Sequence, residues 1–293
     1  MIPGFPGSAV RWVAGPLRFE LASDDPAVRK LAADVFRQWA TTDGGEPSRS
    51  WRVERLNDRQ ARSEWRVRSS LGLEMVVPSV ERAVGAVEFG AVGAILESRT
   101  TIVHGALIAW DGRGVLLVGR GESGKSTLAC ALWERGATLL GDDVALIDPV
   151  SGVARPAPRR VSLRETSRAL LGDGFFAKVL RGPSSASRQD GYLFHPDEIE
   201  PRPRPDSVRL VAAVFLARRG AAVPPARHEP IPPAHALLAF FPYTNLSSRC
   251  TPGEAIQILA PLANRVPAFD LGRGPLVEMA TIVEGLARAG SPA

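Results

Sequence analysis

Residues 119–126 read GRGESGKS, which fits G-x-x-x-x-G-K-[ST] at every fixed position. Those types at that spacing can hold a polyphosphate. Glycines such as Gly119, Gly121 and Gly124 let the backbone curl so that several N–H groups, with those of Glu122 and Ser123 among them, converge on one set of anionic oxygens. Lys125 is a point charge for the outer phosphates, and the Ser126 hydroxyl suits Mg²⁺. Thr127 continues into a helix whose positive end faces the same oxygens. Seventeen residues beyond the lysine stand two adjacent acids, Asp142 and Asp143. One carboxylate of such a pair can hold the metal or its water. The other can accept a proton from an attacking hydroxyl.

The elements around these residues must deliver them to one place. Val115 to Val118 is a short apolar run of β-formers before the loop. Leu128, Ala129, Ala131, Leu132 and Trp133 suit a buried helix, closed by Arg135 and Gly136. Ala137 to Leu140 is a second apolar strand, and the two aspartates follow it. One helix crosses over between the strands, so both run the same way and end on one edge of the sheet. Ligands in such sheets sit outside those carboxyl ends. Asp111 to Gly114 reads as a hairpin turn. If Trp110 pairs with Val115, Ile108 lies opposite Leu117, and His104 comes level with Gly121. That register brings a histidine to the phosphate loop.

Together these residues resemble the HPr kinase/phosphorylase family, and most closely its shorter relatives, the HPr-kinase-like serine kinases of peptide-modification gene neighbourhoods. The resemblance runs through His104-Gly105, the hairpin to Gly114-Val115, Lys125-Ser126-Thr127, Glu134 to Ala137, and Gly141-Asp142-Asp143, about forty of 293 residues. Pro158 to Leu163 is similar to a Pro-Arg-Pro-(Ile/Val)-Ser-Leu stretch of those relatives, with Arg160 replacing a proline. The resemblance implies an α/β fold like that of phosphoenolpyruvate carboxykinase and ATP-dependent phosphorylation of a serine hydroxyl. It makes Asp143 the general base. Asp142 and Ser126 become the Mg²⁺ side, Lys125 the phosphate ligand, and His104 a hydrogen-bonding group near the transferred phosphoryl. The loop carries Gly121 and Glu122 where the family has serine and glycine. The Glu-x-Arg-Gly-x-Gly stretch of the true HPr enzymes is absent, and Asp190 to Pro196 stands in its region. The HPr-kinase-like relatives therefore fit better than the HPr enzymes.

Composition narrows the field. The chain is 45% hydrophobic and 23% charged, ordinary for a globular protein. Nothing approaches the roughly 20 unbroken apolar residues of a membrane span. The segment MIPGFPGSAVRW does not read as a signal peptide. With two cysteines, Cys130 and Cys250, a disulfide framework is not expected. A cytoplasmic protein follows. The net charge of +5 comes from dispersed arginines. In the richest stretch, Arg49 to Arg68, the alternation of Trp51, Val53, Trp65 and Val67 reads as two half-buried antiparallel strands, not as a nucleic-acid surface.

Residues 1–98 read as an α+β unit. Strands lie on either side of Gly15-Pro16. A helix opened by Asp25-Pro26 carries Val28, Leu31, Val35, Phe36 and Trp39 on one face. Strands follow at 51–56, 64–69 and 72–77, then a helix from Val80 to Leu96 with Glu81 and Glu88, and Glu97 just beyond, expected in solvent. Residues 99–293 read as the P-loop unit. It has a helix near 163–171, a Ser-rich mobile loop from Gly182 to Gly191 holding Arg188, a strand from Val208 to Leu216, a Pro/Ala-rich loop from Arg218 to Pro233, and a last helix from Pro275 to Ala289. His195, His228 and His235 have no ligand-like spacing. The expected activity is an ATP/Mg²⁺-dependent kinase acting on a serine of a peptide or small protein. The alternatives are a nucleotide-dependent switch or ATPase and a small-molecule kinase, for instance of free serine. The relatives form oligomers, so a homo-oligomer is compatible.

Overall fold

The computed structural model describes residues 9–14, 16–42, 44–57, 63–97, 100–157, 159–183, 185–188, 191–216 and 225–289. The chain divides into two compact units, Met1–Ser98 and Arg99–Ala293. Among the described residues no helix is long and apolar enough to cross a membrane.

The first unit runs β1 (Ala9–Ala14), β2 (Leu17–Ser23), α1 (Pro26–Val35), β3 (Arg49–Asn57), β4 (Ser63–Ser69), β5 (Glu74–Val77) and α2 (Val80–Glu97). Its sheet has the order β1-β2-β3-β4-β5, antiparallel except for the β2–β3 pair. Asp25 starts α1 by accepting the Ala27 N–H at 2.8 Å, with Pro26 at the first helical position. Period-two alternation sends Trp51, Val53, Trp65 and Val67 to the core. Between them Arg52, Glu54, Arg66 and Arg68 form ion pairs on the other face. Trp12 stacks on Phe36 with ring centroids 3.9 Å apart, beside Phe19 and Trp51. Glu88 departs from the expectation of solvent exposure: α2 buries it. Glu97 stays in solvent as expected, 3.6 Å from Arg49.

The second unit runs β6 (Thr101–Val103), β7 (Gly105–Trp110), β8 (Arg113–Val118), α3 (Lys125–Glu134), β9 (Thr138–Gly141), β10 (Ala145–Asp148), β11 (Val153–Pro156) and β12 (Val161–Arg164). It continues with α4 (Arg168–Val179), β13 (Ala186–Arg188), β14 (Gly191–Phe194), α5 (Pro196–Ile199), β15 (Val208–Leu216), β16 (His228–Ile231), α6 (Pro233–Phe240), α7 (Pro252–Arg265), β17 (Ala268–Leu271) and α8 (Leu276–Ala289). The main sheet has the order β6-β10-β11-β15-β8-β7-β9, with β17 also on β15 and β16 on β17. A small sheet has the order β12-β14-β13. Alternate residues of β8 feed two cores. Val115 and Leu117 meet α3, α4 and α8, whereas Leu116 and Val118 meet α6 and α7.

The hairpin differs from the expected register. Trp110 pairs with Arg113, not Val115, because Asp111 and Gly112 alone make the turn. Both have positive φ, 48° and 77°, the two-residue geometry that matches the twist of paired strands. Ile108 therefore faces Val115, and the last pair is Gly105 with Val118. His104 stands one residue beyond, level with Gly119 and not with Gly121. β9 is antiparallel to β7, and β7 to β8, so β8 and β9 run the same way with β7 between them. Their carboxyl ends share an edge.

Other segments are more ordered than the sequence reading had them. Ala186–Arg188 in the Ser-rich stretch forms β13, paired with β14, and His228–Ile231 in the Pro/Ala-rich stretch forms β16. The helix expected near 163–171 starts later, as α4, and bends at Gly172, whose φ is 80°. Pro158, Asp190, the Arg188 side chain and residues 218–224 lie outside what the structure describes. At the edge strand β9, Arg204 donates to Leu139 O at 3.3 Å and to Leu140 O, and Arg202 donates to Trp133 O at 2.6 Å and to Ala137 O. These guanidiniums satisfy carbonyls that an edge and a helix end leave open.

Candidate active site

β8 ends at Val118 and the chain curls at once into the loop that precedes α3. Two loop residues take left-handed conformations, Glu122 at φ 66° and Gly124 at φ 95°. Such reversals turn successive N–H groups toward one concavity. Gly119 packs closely for a different reason: a Cβ there would lie 2.6 Å from the Ser123 hydroxyl, which would have to turn away. The loop folds onto itself at that point. Lys125 Nζ turns back and donates to Gly119 O at 2.8 Å and Arg120 O at 3.1 Å. Burial lowers the lysine's pKa, while the charges of Asp143 and Asp142 hold it up. The Ser123 hydroxyl is buried without a hydrogen-bond partner among the described residues.

The two aspartates at the end of β9 face different neighbours. Asp142 points inward. It accepts the Ser126 hydroxyl at 2.9 Å and the Ser162 N–H at 3.0 Å, and it is 2% exposed. Burial first, and the neighbouring Asp143 charge second, push its pKa up to about 7. Asp143 points outward into a cavity and pairs with Arg159 at 3.0 Å. Its backbone takes a left-handed turn, φ 69°, and its carbonyl accepts the Gly105 N–H at 3.0 Å. The turn separates two adjacent side chains that would otherwise compete for one place. The segment after Arg159 thus clasps both acids, one through a guanidinium and one through the Ser162 amide.

His104 lines the same cavity, half-buried, its backbone N–H donating to Tyr243 O at 2.6 Å. Burial and the Lys125 charge lower the imidazole's pKa against the pull of Asp143, so the ring is chiefly neutral at pH 7. The cavity measures about 530 Å³. Residues 121–127 form its floor, and Ser162, Arg164 and Ser167 lie on one wall. Glu122, an acid at the mouth of an anion site, is neutralised by Arg164. Thr127 reaches sideways to Ser167, hydroxyl to hydroxyl at 2.8 Å.

The residues singled out in the sequence thus gather at one edge of the sheet, with two distinctions. Gly119 and Asp142 do not line the cavity; one closes the loop from behind and the other stands behind Ser126. Arg159, Ser162 and Arg164 had no assigned role. Arg159 and Ser162 lay in the Pro-Arg-Arg-Val-Ser-Leu stretch and Arg164 just after it, but their meeting with Asp143, Asp142 and Glu122 depends on a long-range fold. The buried His195 is not among the cavity's lining residues.

The residue set fits a nucleoside triphosphate with Mg²⁺. The loop curls with left-handed residues at Glu122 and Gly124, although the Ser123 N–H, expected among the phosphate donors, is taken by Arg120 O at 3.2 Å. The lysine's present partners are carbonyls that a phosphate oxygen would outbid. Ser123 keeps a spare hydroxyl. Ser126 and Asp142 are hard oxygen donors, and Mg²⁺ is commonly bound by one or two protein oxygens with phosphates and waters completing its shell. Among the described residues no cluster of three or more His, Cys, Asp or Glu is arranged for a metal.

No family model matches the chain, and no curated protein matches it. Among solved structures it is similar to the HPr(Ser) kinase/phosphatase from Coxiella burnetii, at 16% identity over 64% of this chain and 88% of that one, with a TM-score of 0.31.

Proposed function

We infer that residues 99–293 form an ATP/Mg²⁺-dependent kinase that phosphorylates a serine hydroxyl of a peptide or small protein. The observation that carries this reading is the divergence of Asp142 and Asp143. Asp142 faces Ser126 and serves the metal side. Asp143 faces the cavity beside His104 and serves as base. A nucleotide switch needs the first carboxylate and has no use for the second.

Asp143 takes the proton from the acceptor hydroxyl as the oxygen bonds to the γ-phosphorus. The bond from phosphorus to the bridging oxygen breaks, and its electron pair stays on the nucleoside diphosphate. Lys125 offsets charge on the phosphate oxygens, and neutral His104 hydrogen-bonds beside the transferred group. Arg159, paired with Asp143 at 3.0 Å, holds that carboxylate in place before the acceptor arrives. Ser126 and Asp142 are the residues that would hold Mg²⁺, which would neutralise phosphate charge. The family resemblance supports this assignment of roles.

Asp143→Asn tests it. Phosphate transfer, followed with labelled ATP and candidate serine-containing acceptors, is expected to fall by roughly 10²–10⁴-fold while ATP affinity stays nearly unchanged. Equal transfer by wild type and variant would sink the base assignment.

A further inference from the structure

Part of the cavity's lining has no role in the transfer chemistry. His104, Lys125 and Asp143 define its reacting end. Following the loop into α3 leads away from them, through Thr127 and Leu128, and the Thr127–Ser167 hydrogen bond of 2.8 Å carries the wall across to α4. One turn further along α4 stands Leu170, 62% exposed, a large apolar side chain on a cavity wall with little over it. Leu276 and Met279, one turn apart on α8, line the same cavity. Thr166 and Arg273 are its polar neighbours there. The acids on the cavity lining are Glu122 and Asp143, neither of them in this group.

The geometry points to an apolar shelf formed by Leu170, Leu276 and Met279 that holds the nucleobase of the bound nucleoside triphosphate. This rests on the reading of residues 119–126 as a triphosphate site. A triphosphate laid on the loop with its terminal phosphate toward Lys125 and Asp143 directs its nucleoside past Thr127, onto the shelf. A purine is a flat apolar body with polar edges, and pockets for such bodies are apolar surfaces with a few placed donors. Leu170, which would otherwise stay exposed at a cavity mouth, gains a partner. The shelf offers no carboxylate for the N–H edge of guanine, so area and not edge reading supplies the grip. Adenine and guanine nucleotides should bind within a few fold of each other.

The test separates base from phosphates. Titration calorimetry of the full chain in Mg²⁺ would compare ATP with inorganic tripolyphosphate, which lacks base and ribose. Leu170→Ser, at an exposed position, is expected to weaken ATP about fivefold by removing apolar contact and to leave tripolyphosphate within twofold. Leu170→Phe enlarges the platform and should tighten ATP alone. Equal effects on both ligands, or none on either, would overturn the shelf and leave its apolar surface to the acceptor. Failure of the wild-type protein to bind tripolyphosphate or ATP would overturn the triphosphate reading itself, and the shelf with it.

Discussion

Lys125 is a cation parked on its own loop, and that posture has a consequence. Its two carbonyl partners, Gly119 O and Arg120 O, are neutral acceptors, whereas a phosphate oxygen is charged. Hydrogen bonds between charged partners are about twice as strong as neutral ones. Truncation removes both the charge and the link that tightens the loop. Lys125→Ala is therefore expected to weaken ATP by roughly 100-fold in calorimetry, since charged hydrogen bonds contribute about 1.5–3 kcal/mol each. Undiminished affinity would count against the phosphate site. At this scale the sequence was most informative where spacing is local. The loop glycines, Lys125, Ser126 and the aspartates follow from positions within one strand–helix–strand unit. Arg159 and Arg164 did not, because their partners Asp143 and Glu122 are distant in sequence and meet only when β12 docks. The opposite orientations of Asp142 and Asp143 were also hidden, since they depend on a left-handed backbone turn at a non-glycine residue.

Elements were legible when periodicity alone decided them. β8, α3, β9, β15 and α8 each bury a continuous apolar run or face, and apolar spacing placed them. The hairpin register was misjudged because Asp111-Gly112-Arg113-Gly114 offers a four-residue turn as readily as a two-residue one, and only the positive φ angles choose. α7 was missed although Thr251 and Glu254 form a reciprocal capping box at its start. Its signal sat in a Pro-rich segment where breakers draw the eye. The arginines at the β9 edge were invisible for a third reason: nothing local says that a guanidinium will serve backbone carbonyls. Arg204 also pairs with Asp197 at 3.1 Å, whose pKa burial raises against the pull of that arginine. Arg204→Ala leaves an acid buried and an edge bare, and should cost about 3 kcal/mol in chemical denaturation. A loss below about 0.5 kcal/mol would mean that water replaces the guanidinium. α1 offers a pH-dependent counterpart. Burial tends to raise the Asp25 pKa, but the Trp65 indole N–H at 3.0 Å and the helix N–H groups outweigh it, and the net shift is downward. A depressed folded value means stability that is complete above the unfolded value near 3.8 and lost as pH falls through the folded one. Asp25→Asn keeps a capping oxygen and removes the charge. Its deficit against wild type should be present at pH 7 and vanish below the folded pKa. Denaturant midpoints that differ equally at both pH values would refute the linkage.

At the scale of the whole molecule, function and fold divide between the two units. Every residue lining the cavity lies between His104 and Met279, within the second unit. The first unit has a core of its own, built on Trp12, Phe19, Phe36 and Trp51 stacked face to face. Trp12 is fully buried there, so Trp12→Ala removes an aromatic that several neighbours share and should cost that unit about 3–5 kcal/mol. Such a loss is a large fraction of the stability of a domain of that size. If nucleotide binding belongs to the second unit alone, the variant keeps its ATP affinity within about threefold even where circular dichroism shows the first unit unfolding early. Residues 1–98 would then fold and act independently of ATP binding. If ATP affinity falls in step with the loss of the first unit, the units unfold as one cooperative structure, although no described residue of the first lines the cavity.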